Sequence, residues 1–251
     1  MESQLSIRRP ATLTALAACM ALQLASFSAN AQSPVVLGIL VEYIEVEHTT
    51  ATELLRAHTK SADASSMRAE VEKLIEAKKA GVFESSYLVT RSGQRAKIES
   101  ILELIYPTEF DPPETPQELT GPIDPKVDLR TNVTATTFTT RNTGHTLEVD
   151  PILGSDGETI DLNIAPEIVV YGGEKEYGQG PARITQPIFH TMRVSTAVSM
   201  KSGQYALIGV QTPFPPLKSK DKSGLGHPDQ AGGKRLLVFV RCTALTVPAP
   251  K

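Results

Sequence analysis

The stretch Gly144–Val170, GHTLEVDPILGSDGETIDLNIAPEIVV, decides the fold. From His145 to Asp150, Thr146, Glu148 and Asp150 fall on one face and Leu147 and Val149 on the other. From Glu158 to Ile164, Ile160, Leu162 and Ile164 line one face and Thr159, Asp161 and Asn163 the other. Side chains alternate across a strand, so each run has one apolar and one polar side. Between the runs lies Gly154-Ser155-Asp156-Gly157, whose glycines can supply the positive-φ positions of a short turn. Alternation on both sides of such a turn predicts a β-hairpin. Its significance is architectural. A hairpin with one apolar face must bury that face against a second sheet, a neighbouring subunit or lipid.

N-terminal to this hairpin, Pro34–His48 (PVVLGILVEYIEVEH) is β-branched and aliphatic, a strand. Thr50–Lys60 follows as a helix, with Thr50 and Glu53 at capping-box spacing. A second helix is expected over Ala64–Ala80, opened by Asp63 and ended by Gly81. Met67, Val71, Leu74 and Ile75 form its apolar face. Phe83–Arg91 and Gln94–Tyr106 then read as a strand pair turning at Ser92-Gly93. Residues 107–126 form an extended Pro-rich linker, with six prolines between Pro107 and Pro125. Val127–Asn142 is Thr-rich and only weakly strand-like.

C-terminal to the hairpin, Tyr171–Pro181 (YGGEKEYGQGP) reads as a flexible loop, since its glycines lack the order of a phosphate-binding turn. Ile188–Met200 alternates cleanly. Lys201-Ser202-Gly203-Gln204 is expected to turn it into Tyr205–Val210 as a second hairpin. Leu236–Thr243 is apolar on both faces, as a central strand would be.

At the N-terminus, Arg8 and Arg9 precede the apolar run Ala11–Phe27, and Ala29-Asn30-Ala31 fits a signal-peptidase site. Export with cleavage after Ala31 is therefore expected. Leu16-Ala17-Ala18-Cys19 has the form of a lipobox, but Met20–Ala25 continues the apolar run where a lipoprotein turns polar. Cleavage would leave Cys242 as the one cysteine, so no disulfide would form within the mature chain. No later stretch is apolar for as long as a spanning helix requires.

The 251 residues carry a net charge of −3, which gives no basic surface for nucleic acid. Catalytic and metal signatures are not found either. His48, His58, His145, His190 and His227 lack ligand spacing, and no GxSxG occurs. Glu109, Asp111, Glu114 and Glu118 are better explained as an acidic linker than as metal ligands. Glu148, Asp150 and Asp161 could face a cleft as hydrolytic carboxylates, but solvent-facing charges on a half-buried strand are the plainer reading. Cys242 and His190 read as packing residues. The expectation is a non-enzyme with no catalytic, cofactor-binding or metal-binding residues, no cofactor and no evident small-molecule substrate.

Three stretches together resemble the C-terminal core of the secretins, the ring-forming outer-membrane channels of type II and type III secretion and type IV pilus systems. The first is VTRSGQRAKIESILELIYPTEF within Phe83–Phe110, a strand, a Gly-Gln turn and a strand with an aromatic-Pro exit. The second is the central hairpin itself, which is similar to the family's G-x-x-L-x-V-x-P, turn and alternating strand. The third is Gln186–Val210, QPIFHTMRVSTAVSMKSGQYALIGV. The resemblance covers roughly residues 35–245, with LLVFVR as the final strand. It implies an α+β, mainly β chain: a strand-helix-strand unit at 32–106, the linker at 107–126, a β-hairpin core at 127–247 and a tail at 248–251. It also implies a bacterial envelope protein, in outer membrane or periplasm, whose partners are copies of itself or a longer secretin. Two departures stand out. The signal segment runs almost directly into the core, without the family's preceding ring-building domains. Val210 occupies the position of an expected glycine, and the polar stretch Thr212–Lys234 stands where the family has an amphipathic membrane-lip segment.

Overall fold

The computed structural model describes residues 35–58, 60–115, 124, 130–213 and 233–245. The expected signal peptide, Cys19, Glu118, His227, most of Thr212–Lys234 and the tail at 248–251 lie outside the described residues. Among the described residues the elements run β1 Val36–Glu47, α1 His48–His58, α2 Ser65–Glu76, β2 Ala80–Arg91, β3 Ala96–Asp111 and β4 Thr134–Leu153. They continue with β5 Thr159–Tyr177, a 3₁₀ turn at Gly180–Ala182, β6 Ile184–Arg193, β7 Thr196–Lys201, β8 Tyr205–Gln211 and β9 Lys234–Leu245. All the strand pairings are antiparallel, and the mainly β, α+β class read from the sequence holds.

Three layers result. The first sheet has the order β2-β1-β9-β8; the second has β3-β4-β5, with β6 and β7 both along the far side of β5. Leu37, Ile39, Val41 and Tyr43 of β1 and Leu236, Val238, Val240 and Cys242 of β9 face the second sheet. They meet Leu147, Val149, Ile160, Leu162 and Ile164, the apolar face of the central hairpin. The other face of the first sheet, through Ile44, Val46, Leu237 and Phe239, is covered by Leu54 of α1 and by Met67 and Val71 of α2. With apolar residues needed on both faces, β9 has no polar alternation, and it lies centrally between β1 and β8.

Several sequence expectations are corrected. The second helix ends at Glu76, with Lys78 at φ 57°; Lys78 and Lys79 N–H donate to Ile75 and Leu74 O, and Gly81 already belongs to β2. The strand β3 does not stop at Tyr106 but runs to Asp111, because Pro107, Glu109, Phe110 and Asp111 still find partners on β4. The glycine-rich stretch after Val170 is strand as far as Tyr177, where β6 supplies the partners; a register shift between Tyr171 and Glu174 absorbs the glycines.

The two expected hairpins at Ser92-Gly93 and Ser202-Gly203 are corners instead. β2 belongs to the first sheet and β3 to the second; β7 belongs to the second and β8 to the first. The two corners are built alike from Arg91-Ser-Gly-Gln94 and Lys201-Ser-Gly-Gln204. Gly93 (φ 75°) donates its N–H to Pro151 O at 2.8 Å, and Gly203 (φ 85°) donates to Cys242 O at 2.8 Å. Ser92 Oγ accepts Leu153 N–H and Ser202 Oγ accepts Ala244 N–H, each at 2.9 Å. Each corner therefore ties itself to the end of an inner strand, and strands that change sheets close the sandwich on both sides.

Candidate assembly surface

The second sheet is longer than the sandwich it belongs to. β4 and β5 pair from Leu153 with Ile160 up to Gly144 with Val169, and there the ladder between them ends. Beyond that point β4 keeps β3 as its partner as far as Thr134, and β5 keeps β6 as far as Tyr177. Gly144, at φ 119°, marks the parting; a Cβ there would run into the carbonyl of Ser100. Two two-stranded ribbons thus leave the core. Such ribbons are marginal in water unless something packs against them.

What they expose is apolar. Leu102 is 69% and Ile105 68% exposed on β3, and Phe138 is 57% exposed on β4. Val170, Tyr171 and Tyr177 are exposed on β5. Near the base of the ribbons, a 750 Å³ cleft opens between β2 and the β3/β4 ribbon, with Phe83, Tyr87, Ile98 and Leu102 among its walls. His145 lies at its floor, buried, with Ser86 Oγ 3.1 Å from the ring and the Tyr43 ring set edge-on at a centroid distance of 6.4 Å. Burial holds the His145 imidazole below the ordinary histidine range. Because β2 and β3 are outer strands of their sheets, their far sides present backbone groups to which another strand can add.

The polar face of the second sheet is a cross-strand ladder of charge. Arg193 grips Glu167 with Nη2 at 2.8 Å and Nε at 3.1 Å, and Arg141 reaches Thr191 Oγ1 at 3.2 Å. Arg95 meets Glu148 at 3.1 Å and Lys201 meets Glu158 at 3.5 Å. Exposed pairs of this kind add little stability. They identify a face made for water.

The residues considered for chemistry fall as follows. Glu148, Asp150 and Asp161 share this polar face, where Glu148 is ion-paired and Asp161 accepts a hydrogen bond from Ser199. Glu109 accepts from Thr137 on the neighbouring strand, and Asp111 is paired with Thr134. Glu114 is held by its backbone N–H on Thr131. His58 bonds Glu70 at 2.9 Å on the helix layer, well apart from His145 in the cleft. His190 lies over Gly172, where a Cβ would collide with its ring. Cys242 is fully buried between the sheets, and burial pushes its thiol up to about 11. Among the described residues, no three His, Cys, Asp or Glu side chains converge to hold a metal.

The apolar face of the alternating stretch Ile188–Met200 is covered from within the chain. Met192 and Met200 are buried and Val194 and Val198 pack on the same cluster, so the covering is the first sheet. The strand is interrupted opposite Ala165-Pro166, with Val194 N–H on Pro166 O, but the pairing Glu167–Arg193 resumes as Ile164–Thr196 without a slip. No helix among the described residues is long and apolar enough to cross a membrane; strands are a separate question. The uncovered apolar side chains on the ribbons, rather than the stripe, are what sequence reasoning missed. Phe138 sits on the Thr-rich weak strand and Tyr171 and Tyr177 on the stretch expected as a loop, where alternation is poor, while Leu102 and Ile105 lie on the expected strand Gln94–Tyr106.

Comparison with known proteins gives a consistent result. The family model for secretins, described as bacterial type II and III secretion system proteins, matches residues 73–210. Comparison with curated protein sequences gives no match. Among solved structures, the InvG secretin domain β-barrel of the Salmonella injectisome is 12% identical with a TM-score of 0.40, covering 96% of this chain and 70% of that one. The type II secretin GspD of Escherichia coli is 14% identical with a TM-score of 0.39, covering 95% of this chain and 55% of that one. The Klebsiella pneumoniae outer membrane complex of PulD, PulS and PulC gives 14% identity and a TM-score of 0.42, covering 96% of this chain and 44% of the matched one. This chain therefore spans about half the length of the latter two. The match over residues 73–210 runs from the last turn of α2 through both corners, the central hairpin and the paired ribbons: the chain belongs to the secretin family, whose members are structural components of secretion channels.

Proposed function

We propose that this chain is an oligomeric component of a protein-secretion or pilus channel in the bacterial envelope, each copy contributing its two ribbons to a shared β-barrel. The observation that carries this is the pair of ribbons themselves. They extend past the sandwich, expose Leu102, Ile105, Phe138 and Tyr171, and end in open edges. A strand edge with apolar flanks is costly on an isolated protein, and closing a barrel across copies removes it. At about 3.3 Å per residue, the parts of β4 and β5 that leave the sandwich, Thr134–Thr143 and Val170–Tyr177, are roughly 33 and 26 Å long, close to the thickness of a bilayer's hydrocarbon core. The charged face of the second sheet suits a water-filled channel wall.

A second reading is a scaffold of the envelope that keeps the secretin core without forming a pore. The coverage of the Ile188–Met200 stripe by the first sheet favours it, because that stripe needs no lipid. Semi-native gels separate the two. A channel subunit gives detergent-resistant, heat-stable multimers from envelope extracts, whereas a scaffold gives a monomer in detergent-free periplasmic extract.

A further inference from the structure

The root of the β3/β4 ribbon is pinned to the first sheet by one side chain. His145 follows Gly144, where β4 parts from β5, and reaches across to β2. Ser86 Oγ of β2 lies 3.1 Å from Nδ1 and 3.2 Å from Nε2 of the imidazole, so a single hydroxyl faces both ring nitrogens. The Tyr43 ring of β1 stands edge-on to it. On the ribbon itself, Thr143 Oγ1 donates to Leu102 O at 3.0 Å and helps hold β3 and β4 together as they leave. The ribbon is thus one paired unit with a glycine at its root and a histidine beside that glycine. Glu84 stands two residues from Ser86 along β2, on the same wall of the 750 Å³ cleft. Its carboxylate accepts Ser85 N–H at 3.0 Å and has no cation paired with it among the described residues.

We propose that His145 is a two-position latch: neutral, it rests on Ser86 and keeps the cleft narrow; protonated, it passes to Glu84 and lets the β3/β4 ribbon swing away from β2. The latch is built within one chain and needs neither reading of the function above. A neutral imidazole has one donor and one acceptor, and a hydroxyl can meet it. An imidazolium has two donors and no acceptor, and Ser86 Oγ cannot satisfy both in a site nearly closed to water. The strands packed around the ring leave one carboxylate for it. Tyr43 of β1 is a phenol that burial keeps protonated. β3 and β5 place Ser100 and Ile168 opposite His145. Glu99 and Glu167 lie one register step away, opposite Thr146 on the polar face, held by Lys97 at 2.7 Å and Arg193 at 2.8 Å. Burial opposes protonation of the ring and Glu84 favours it, which is the balance a switch requires. Widening the cleft uncovers Phe83, Tyr87, Ile98 and Leu102, so acidity sets how much apolar ribbon surface is on offer.

The test reads the angle of the ribbon in the full chain carrying Cys19→Ser and Cys242→Ala, the latter apolar because the site is buried. Spin labels on Val82→Cys of β2 and Ile105→Cys of β3, both exposed positions, report the distance across the cleft by pulsed dipolar spectroscopy. Labelled chain is diluted into excess unlabelled chain, so that only distances within one chain count. Between about pH 7.5 and about pH 5.5, on either side of the ordinary histidine value, the distance is expected to lengthen. His145→Gln should keep the short distance at both, Glu84→Gln should lose most of the lengthening, and Ser86→Ala should open at a higher pH than the parent. A parent chain whose distance is the same at both pH values overturns the proposal, and so does a Glu84→Gln variant that opens as the parent does. Should His145→Gln fail to fold, Glu84→Gln decides alone. Neither result bears on whether copies assemble, which is read separately.

Discussion

Three residues test the backbone argument directly. Gly93 and Gly203 are both left-handed, and a Cβ at either would meet nothing within 4 Å. Substitution by valine there costs backbone strain alone, about 1–2 kcal/mol at each corner. Because the corners are built alike, Gly93→Val and Gly203→Val are expected to lower the urea midpoint by similar amounts. Gly144→Ala adds a collision with the Ser100 carbonyl to a positive φ, and its loss should exceed that of Gly203→Ala. Equal midpoints for wild type and both corner variants would show that the corners are not tight. A second residue-scale expectation concerns pH. Burial depresses the folded-state pKa of His145, so the unfolded chain binds the proton more readily. This group imposes no penalty above the ordinary histidine value of about 6.5 and an increasing one as pH falls below it. His145→Gln should therefore show a smaller loss of stability between neutral and mildly acidic pH than wild type. Parallel pH–stability curves for the two proteins would contradict the assignment.

Between elements, the contact most open to test joins α2 to β1. Arg68 holds Glu42 with Nε and Nη2 both at 2.9 Å, and Glu72 with Nη1. The Arg68 and Glu42 side chains are only 12% and 11% exposed. Hydrogen bonding to Glu42 raises the Arg68 pKa further, so the guanidinium stays charged. Removing one partner of such a pair leaves a desolvated charge, at a cost of about 3–5 kcal/mol. Arg68→Met is expected to cost an amount of that order in denaturant melts, and Glu42→Gln on the same background to restore part of it. A loss under about 1 kcal/mol for Arg68→Met would place the pair among the weak surface bridges.

The element scale also shows how far the sequence could be read. The central hairpin was legible because Leu147, Val149, Ile160, Leu162 and Ile164 each obey a two-residue period fixed by burial on one side. β9 was legible as central because both its faces are covered. The corners were not, because Ser-Gly-Gln sets the direction of the turn but not the partner of the strand that follows. Local chemistry makes the same left-handed glycine in a hairpin and in a sheet crossing. The outer reaches of β3, β4 and β5 were missed for a different reason. Pro107, the run of threonines and Gly172-Gly173 hide a period that no buried core enforces, and these stretches are strands only because another strand of the same ribbon pairs with them. The ribbons beyond Tyr106 on β3 and Val170 on β5 were thus the part least visible in the sequence.

At the scale of the whole molecule, a sandwich closed by two corners carries two ribbons whose apolar side chains and edges the chain satisfies only in part. Family membership, charge along the outer face and the exposed apolar side chains of the ribbons all bear on a single claim: copies of this chain share one barrel. Electron microscopy of the full-length protein, purified in detergent from bacterial envelopes, tests it most directly. Closed rings with a central opening and one rotational symmetry are expected. A uniform field of particles the size of a single chain, from folded protein at the same concentration, would contradict it.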